Sequence, residues 1–245
     1  MTTYTGTADA NGDFNISFGG NSYTSGQKVT ITAEKNGATK SIELFAPADT
    51  TGGGAIQFSG TLNNFPVNVG VVTLSTEISG YITASCFAAD LSGSRFGNYP
   101  TGLKILGAVT EIRSNAFYAW GNATLLILPN VLQYLRSSAF ERWDKLAEII
   151  IPNSVLDIGD YCFRYSSLCK KITLGTSLSI IGNAAFSGAV ACDEINCLRT
   201  TPPTIRSDTF LNLKATCVIK VPASSLAAYQ TAANWSAHAS KMVGV

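Results

Sequence analysis

The chain has 245 residues, a net charge of +1, and only 13% charged residues against 46% hydrophobic ones. That balance offers no electrostatic case for a nucleic acid or an anionic membrane as partner. No run reaches the ~20 consecutive apolar residues of a spanning helix, so membrane insertion is not expected.

Short alternating runs open the chain, at 4–8 and 14–18 around Ala10-Asn11-Gly12. Asp9, Asn11 and Asp13 begin like a calcium loop, but Phe14 and Gly20 stand where such a loop needs glycine and glutamate, so a turn is expected and no metal. Two β-branched runs, 29–34 and 39–44, flank Asn36-Gly37, the strongest short hairpin signal. The string from Gly6 to Gly37 resembles a bacterial immunoglobulin-like domain of the kind found in adhesins, which implies a small β-sandwich over 1–47. Residues 48–55, ending in Gly52-Gly53-Gly54-Ala55, read as a glycine-rich linker. The segment 56–62 is then expected to cap a repeat array that runs over 56–222.

The array announces itself by period. Phe117, Phe140, Phe163 and Phe186 recur every 23 residues, and Phe210 follows one residue late. A fixed period of this size means stacked copies of a unit that cannot bury its apolar face alone. Five residues before these phenylalanines stand Ile112, Leu135, Ile158, Ile181 and Ile205. Immediately before them stand the small residues Ala116, Ala139, Cys162, Ala185 and Thr209. Each unit closes on a run with alternate apolar residues, such as Ile149 and Ile151 or Ile172 and Leu174, which predicts a strand with one buried face. Pro129, Pro152 and Pro222 end three of these strands. Stacking predicts one narrow parallel sheet beside a phenylalanine ladder. A degraded first coil is expected at Val72-Thr73-Leu74, Ile82, Cys86 and Phe87, with an insertion over 91–100. The stretch 223–245 reads as a C-terminal cap, with a short helix near 224–234 that starts at Ser224 or Ser225.

Ile181-Gly182-Asn183-Ala184-Ala185-Phe186, with the closing segment Val221 to Trp235, resembles the BspA-like (Treponema-type) leucine-rich repeats of bacterial surface proteins. The resemblance covers roughly residues 70–245. It implies a mainly β chain: the Ig-like module, a solenoid of short parallel strands, and a capping helix. Arg113, Arg136 and Arg206 depart from the glycine usual at their position, and Gly175 replaces a strand-ending proline.

Chemistry is sparse. The single histidine, His238, falls in the cap and has no second histidine to build a triad with. Asp157 with Asp160, and Asp193 with Glu194, are the carboxylate pairs that a glycosidase would need, yet turns of a solenoid place such residues in solvent. The six cysteines fit reduced, buried packing, with Cys169 and Cys192 at one repeat position and Cys217 near it. A disulfide between Cys169 and Cys192 is the alternative. No catalytic residue, metal site or cofactor is expected.

Ladders of residues at equal repeat positions carry the binding expectation. Arg113 with Arg136, Trp120 with Trp143, Tyr118 with Glu141 and Arg164, and Arg142 with Tyr165 form an aromatic and arginine strip suited to a protein or glycan. Ile127 and Ile150 add an apolar patch on the outer sheet face. The opening Met1-Thr2-Thr3-Tyr4 has no basic and apolar segments of a secretion signal. The expectation is therefore a bacteriophage virion protein, tail- or fibre-associated or decorating the surface, that meets other virion proteins and a host glycan or protein. A homo-oligomer is compatible with it. A bacterial cell-surface adhesin is the alternative, and a polysaccharide-active enzyme or accessory domain the third reading.

Overall fold

A computed structural model describes residues 100–245 throughout and, ahead of them, the strand segments 3–5, 14–18, 28–35, 38–45, 54–59 and 70–82, with Val71 and residues 80–82 described to their side chains. The early strands are β1 (Thr3–Thr5), β2 (Phe14–Phe18), β3 (Lys28–Lys35), β4 (Ala38–Phe45) and β5 (Gly54–Ser59). Strands β3 and β4 pair antiparallel from Lys28↔Phe45 to Lys35↔Ala38, the hairpin that Asn36-Gly37 predicts. No closed Ig-like sandwich is seen among the described residues. Strand β4 pairs with β5, and β5 lies parallel to β6 (Gly70–Ile82), so one sheet runs across the boundary drawn at 48–55. The connector residues 48–53, and Cys86, Phe87 and the insertion 91–99, lie outside the described residues.

The array starts with two long strands, β6 and β7 (Pro100–Ile112). They pair in parallel, with Val72 opposite Leu103 and Ile82 opposite Ile112, which places Ile82 at the position the repeat assigns it. Beyond β7 the sheet forks. The first half of β7 pairs with β8 (Leu125–Ile127), and its last two residues pair with β9 (Tyr134–Leu135). Between the branches the chain turns at Pro129, where Leu132 N–H bonds the proline carbonyl; Val155 does the same to Pro152 one coil later.

One branch continues as β9, β11 (Asp157–Ile158) and β13 (Ile180–Ile181), here termed sheet 1. The other becomes a separate five-stranded parallel sheet, sheet 2, formed by β10 (Glu148–Ile150), β12 (Lys171–Leu174), β14 (Glu194–Cys197), β15 (Val218–Val221) and β16 (Met242–Gly244). The single sheet expected from the alternating runs is thus two. Leu135, Ile158 and Ile181, five residues before their phenylalanines, each sit in a two-residue strand of their own, too short for a period-two pattern to show.

A third ladder joins the coils at the phenylalanine turn. Phe117, Phe140 and Phe163 N–H groups bond the carbonyls of Ala139, Cys162 and Ala185 on the next coil, at 2.8–2.9 Å. The turn is made by left-handed residues on both sides of the phenylalanine: Asn115 and Ala119, Ser138 and Arg142, Tyr161 and Tyr165, Ala184 and Gly188. Inside, the rings of Phe117, Phe140, Phe163, Phe186 and Phe210 stack at 5.2–5.7 Å, within 10° of parallel. Cys162, Cys169, Cys192, Cys197 and Cys217 are all buried.

The cap is a 3-10 turn over Ala223–Ser225, the helix α1 (Leu226–Thr231), and a 3-10 helix over Trp235–Lys241. Ser225 is the N-cap residue of α1, one of the two serines expected there, but it makes no side-chain capping bond. The cap is held instead by buried aromatics. Trp235 Nε1 donates to the Pro203 carbonyl at 2.7 Å and Tyr229 Oη to that of Arg199 at 2.8 Å, with the two rings edge to face at 5.1 Å.

Candidate functional site: arginine and tyrosine rows on the coil surface

Trp120 and Trp143 do not belong to the surface strip. They are 1% and 0% exposed, stacked on each other at 5.7 Å and set edge-on to Phe117 and Phe140. Trp143 satisfies its one polar group by donating Nε1–H to the Phe117 carbonyl at 2.7 Å, so the indole has no need of solvent. The remaining strip residues fall into separate sets.

The first set lies on the outer face of sheet 1. Strand pairing aligns Tyr81, Glu111, Tyr134 and Asp157, and each arginine follows two residues after its row member. The Arg113 guanidinium sits 3.4 Å from the centre of the Tyr81 ring, and that of Arg136 4.5 Å from Tyr134. Arg136 Nε donates to Glu111 Oε1 at 2.7 Å, while Arg113 lies 3.7 Å from the same oxygen and Asp157 3.9 Å from Arg136. Burial pushes the Asp157 carboxyl up, with Arg136 opposing the shift and Asp160 adding to it. Both arginine side chains remain 40–45% exposed. On the next two coils this position is glycine, because a Cβ at Gly159 would lie 2.7 Å from Ser137 N, and one at Gly182 2.5 Å from Asp160 N.

The second set caps the phenylalanine turn. Arg164 donates Nε and an NH2 proton to Glu141 Oε1 at 3.0 and 2.5 Å, and faces the rings of Tyr161 and Tyr165 at 4.3 and 5.0 Å. Arg142 faces Tyr165 from 5.5 Å. Glu141 is buried while Arg142, Tyr161 and Tyr165 are exposed, so a fixed carboxylate orients an outward Arg-Tyr cluster. Tyr118, in register with Glu141, is half-buried.

The third set is the outer face of sheet 2. Ile150, Thr173, Asn196 and Lys220 align across it; Ile150 is 56% exposed, and Ile127, on β8 rather than in this sheet, is 39% exposed. Beside them Glu148, Lys171, Glu194 and Lys220 form a chain of ion pairs. The carboxylates considered for glycosidase chemistry are engaged otherwise. Asp193 pairs with Lys214, Glu194 with Lys171 and Lys220, and Asp160 Oδ1 accepts from Asn183 N at 2.7 Å. His238 packs edge-on to Phe210 at 5.9 Å. Among the described residues no group of His, Cys, Asp and Glu is arranged to hold a metal, and no helix is long and apolar enough to cross a membrane.

Comparison with known families places this architecture. The BspA type leucine rich repeat region matches residues 101–232 in six copies. The chain belongs to the BspA-type leucine-rich repeat family. Among solved structures, the pneumococcal vaccine antigen PcpA aligns with a TM-score of 0.60 at 18% identity, covering 83% of this chain and 52% of that one. A Treponema pallidum leucine rich repeat protein aligns at 0.48 and 18%, covering 69% and 77%. A leucine rich cell surface protein of Faecalibacterium prausnitzii aligns at 0.37 and 14%, covering 67% and 54%. The chain thus spans about half the length of the pneumococcal and Faecalibacterium proteins. No match was found among curated proteins. The matches are to a repeat fold and to no catalytic family.

Sequence reasoning missed Tyr81, Tyr134, Tyr161 and Glu111, the residues that hold the arginines in place. Tyr134 and Glu111 share the position before the sheet-1 residue, a signal visible once that residue is known to lie in a strand.

Proposed function

We propose that this chain is a non-enzymatic binding protein that holds an extracellular protein or glycan on the outer face of sheet 1. The carrying observation is the pair of exposed guanidiniums on successive coils, each laid on a tyrosine and both turned toward Glu111. Rigid arginine and tyrosine groups lose little conformational entropy on binding, which is why they dominate recognition surfaces. The setting we propose is the exterior of a bacterium, with the chain acting as an adhesin, by analogy with the repeat fold it shares with the pneumococcal vaccine antigen. The virion setting expected from the sequence gains nothing from the comparisons.

Binding of the labelled protein to an array of host glycans and extracellular-matrix proteins tests the face. Arg113→Ala with Arg136→Ala is expected to weaken the strongest interaction at least tenfold, while Ile150→Glu leaves it unchanged. The reverse pattern would move the binding face to sheet 2. Immunogold labelling of the producing culture tests the setting: gold on cell envelopes supports the adhesin, and gold on phage particles overturns it.

A further inference from the structure

Cys169 and Cys192 stand at one repeat position, six residues after their phenylalanines, and both thiols turn toward their own strands. Cys169 Sγ lies 3.2 Å from the Lys171 carbonyl and Cys192 Sγ 3.3 Å from that of Glu194. The last coil differs. Its cysteine comes seven residues after Phe210, and Cys217 Sγ reaches back to within 4.0 Å of Cys192 Sγ. The backbones are joined beside the thiols, where Val218 N–H bonds the Asp193 carbonyl at 2.9 Å and Glu194 pairs with Val218. Cys192 and Cys217 thus lie two residues and one residue ahead of the paired strands β14 and β15.

We propose that Cys192 and Cys217 form an intramolecular disulfide that clasps the last coil, and with it the cap, to the array. In the closed array the Cys217 S–H is directed at Cys192 Sγ, so the two sulfurs face each other. With a small-molecule disulfide as oxidant, the thiolate of one cysteine attacks one sulfur, forming a mixed disulfide and releasing one thiol. The other cysteine then gives up its proton and attacks the protein sulfur of the mixed disulfide, expelling the second thiol. Two protein thiols are oxidised and one disulfide is reduced. Both side chains are buried, 0% and 2% exposed, so exchange belongs to folding or to opening of the last coil rather than to the closed array.

The place suits a clasp. The coil that carries Cys217 also carries the cap, through β16 on β15 and Trp235 against Phe210. Cys192 and Cys217 lie 25 residues apart, across the junction between the last two coils. On the far side Lys241 bonds the carbonyls of Lys214 and Ala215, tying the terminal 3-10 helix to the segment that carries Cys217.

The test is refolding of the full chain from denaturant in a glutathione redox buffer, followed by alkylation, peptide mapping and thermal unfolding. A Cys192–Cys217 cross-link is expected, with an unfolding midpoint higher than that of the reduced protein by on the order of 5–10 °C. Cys192→Ser and Cys217→Ser should each abolish the cross-link and the shift, and Cys169→Ser should keep both. Recovery of folded protein with Cys192 and Cys217 still alkylated, or a dominant Cys169–Cys192 link, would overturn the assignment.

Discussion

Glu141 is 3% exposed, and its carboxylate is held by the Arg164 guanidinium of the following coil. A carboxylate without a partner in that position keeps its desolvation cost and loses what offsets it. Because the Arg164 side chain is itself 31% exposed, the penalty sits at the lower end of the buried range. Arg164→Met should destabilise the fold by about 2–3 kcal/mol in urea unfolding. Adding Glu141→Gln should restore at least half of that loss, and failure to restore it would mean that the arginine acts through its stem packing alone. The phenylalanine ladder sets a larger scale. Phe163 is fully buried between Phe140 and Phe186, at 5.2 and 5.5 Å, so Phe163→Ala should cost roughly 3–5 kcal/mol. A near-neutral result in the same urea assay would show that the coils slide to fill the gap.

At the scale of the coil, close approach decides which positions must be glycine. A Cβ on Gly175 would lie 2.3 Å from the Pro152 carbonyl oxygen and 2.8 Å from Asn153 Cα, all backbone atoms that cannot step aside. A Cβ on Gly121 would come no closer than 3.4 Å, to the Asp144 carboxylate at the movable end of an exposed side chain, with the Arg142 carbonyl oxygen at an ordinary 3.6 Å. Gly175→Ala should therefore lower stability by about 1–3 kcal/mol. Gly121→Ala should stay within about 0.5 kcal/mol. Equal effects on the urea midpoint would remove the argument. The same scale explains what the sequence disclosed. The period, the buried phenylalanines, the proline turns and the outward row through Ile150 were all legible, because a side chain repeated every 23 residues has the same neighbours in every coil. The fork at β7 was not. Strands of two residues such as Tyr134–Leu135 are defined by hydrogen bonds to the next coil, which no local pattern records. The candidate site was half legible for a related reason. Composition found the arginines, yet it also put Trp120 and Trp143 at the surface, because a repeated aromatic fits the core and a binding face equally well until the Phe-Trp edge contacts are seen. The left-handed residues flanking each phenylalanine escaped notice because only one in the four full coils is glycine.

For the whole molecule, the cap is a place where pH acts near neutrality. His238 is the only histidine of the chain and lies in the terminal 3-10 helix, edge-on to Phe210 and close to Lys241. Burial, and then the Lys241 charge, hold its imidazole below the ordinary value of 6.5. The unfolded chain therefore takes up this proton before the folded one does. Stability from this group is full above the unfolded value and falls as pH drops from there through the lower folded value. Asp157 acts in the opposite direction in a more acidic window, since burial raises its carboxyl above 3.8 and proton uptake there favours the fold. Asp193 and Glu194, held down by Lys214 and Lys220, lose their contribution only as pH falls below the ordinary carboxylate range. Between about pH 7 and 5.5 the imidazole is thus the dominant titrating group of the array, and the unfolding midpoint should fall over that interval. His238→Gln should flatten the dependence while leaving the rest of the array folded. Its lone imidazole resonance should titrate below the ordinary value by NMR. An imidazole that titrates at or above that value, or a wild-type midpoint that is flat with pH, would mean that the last coil opens too readily to exclude water from His238.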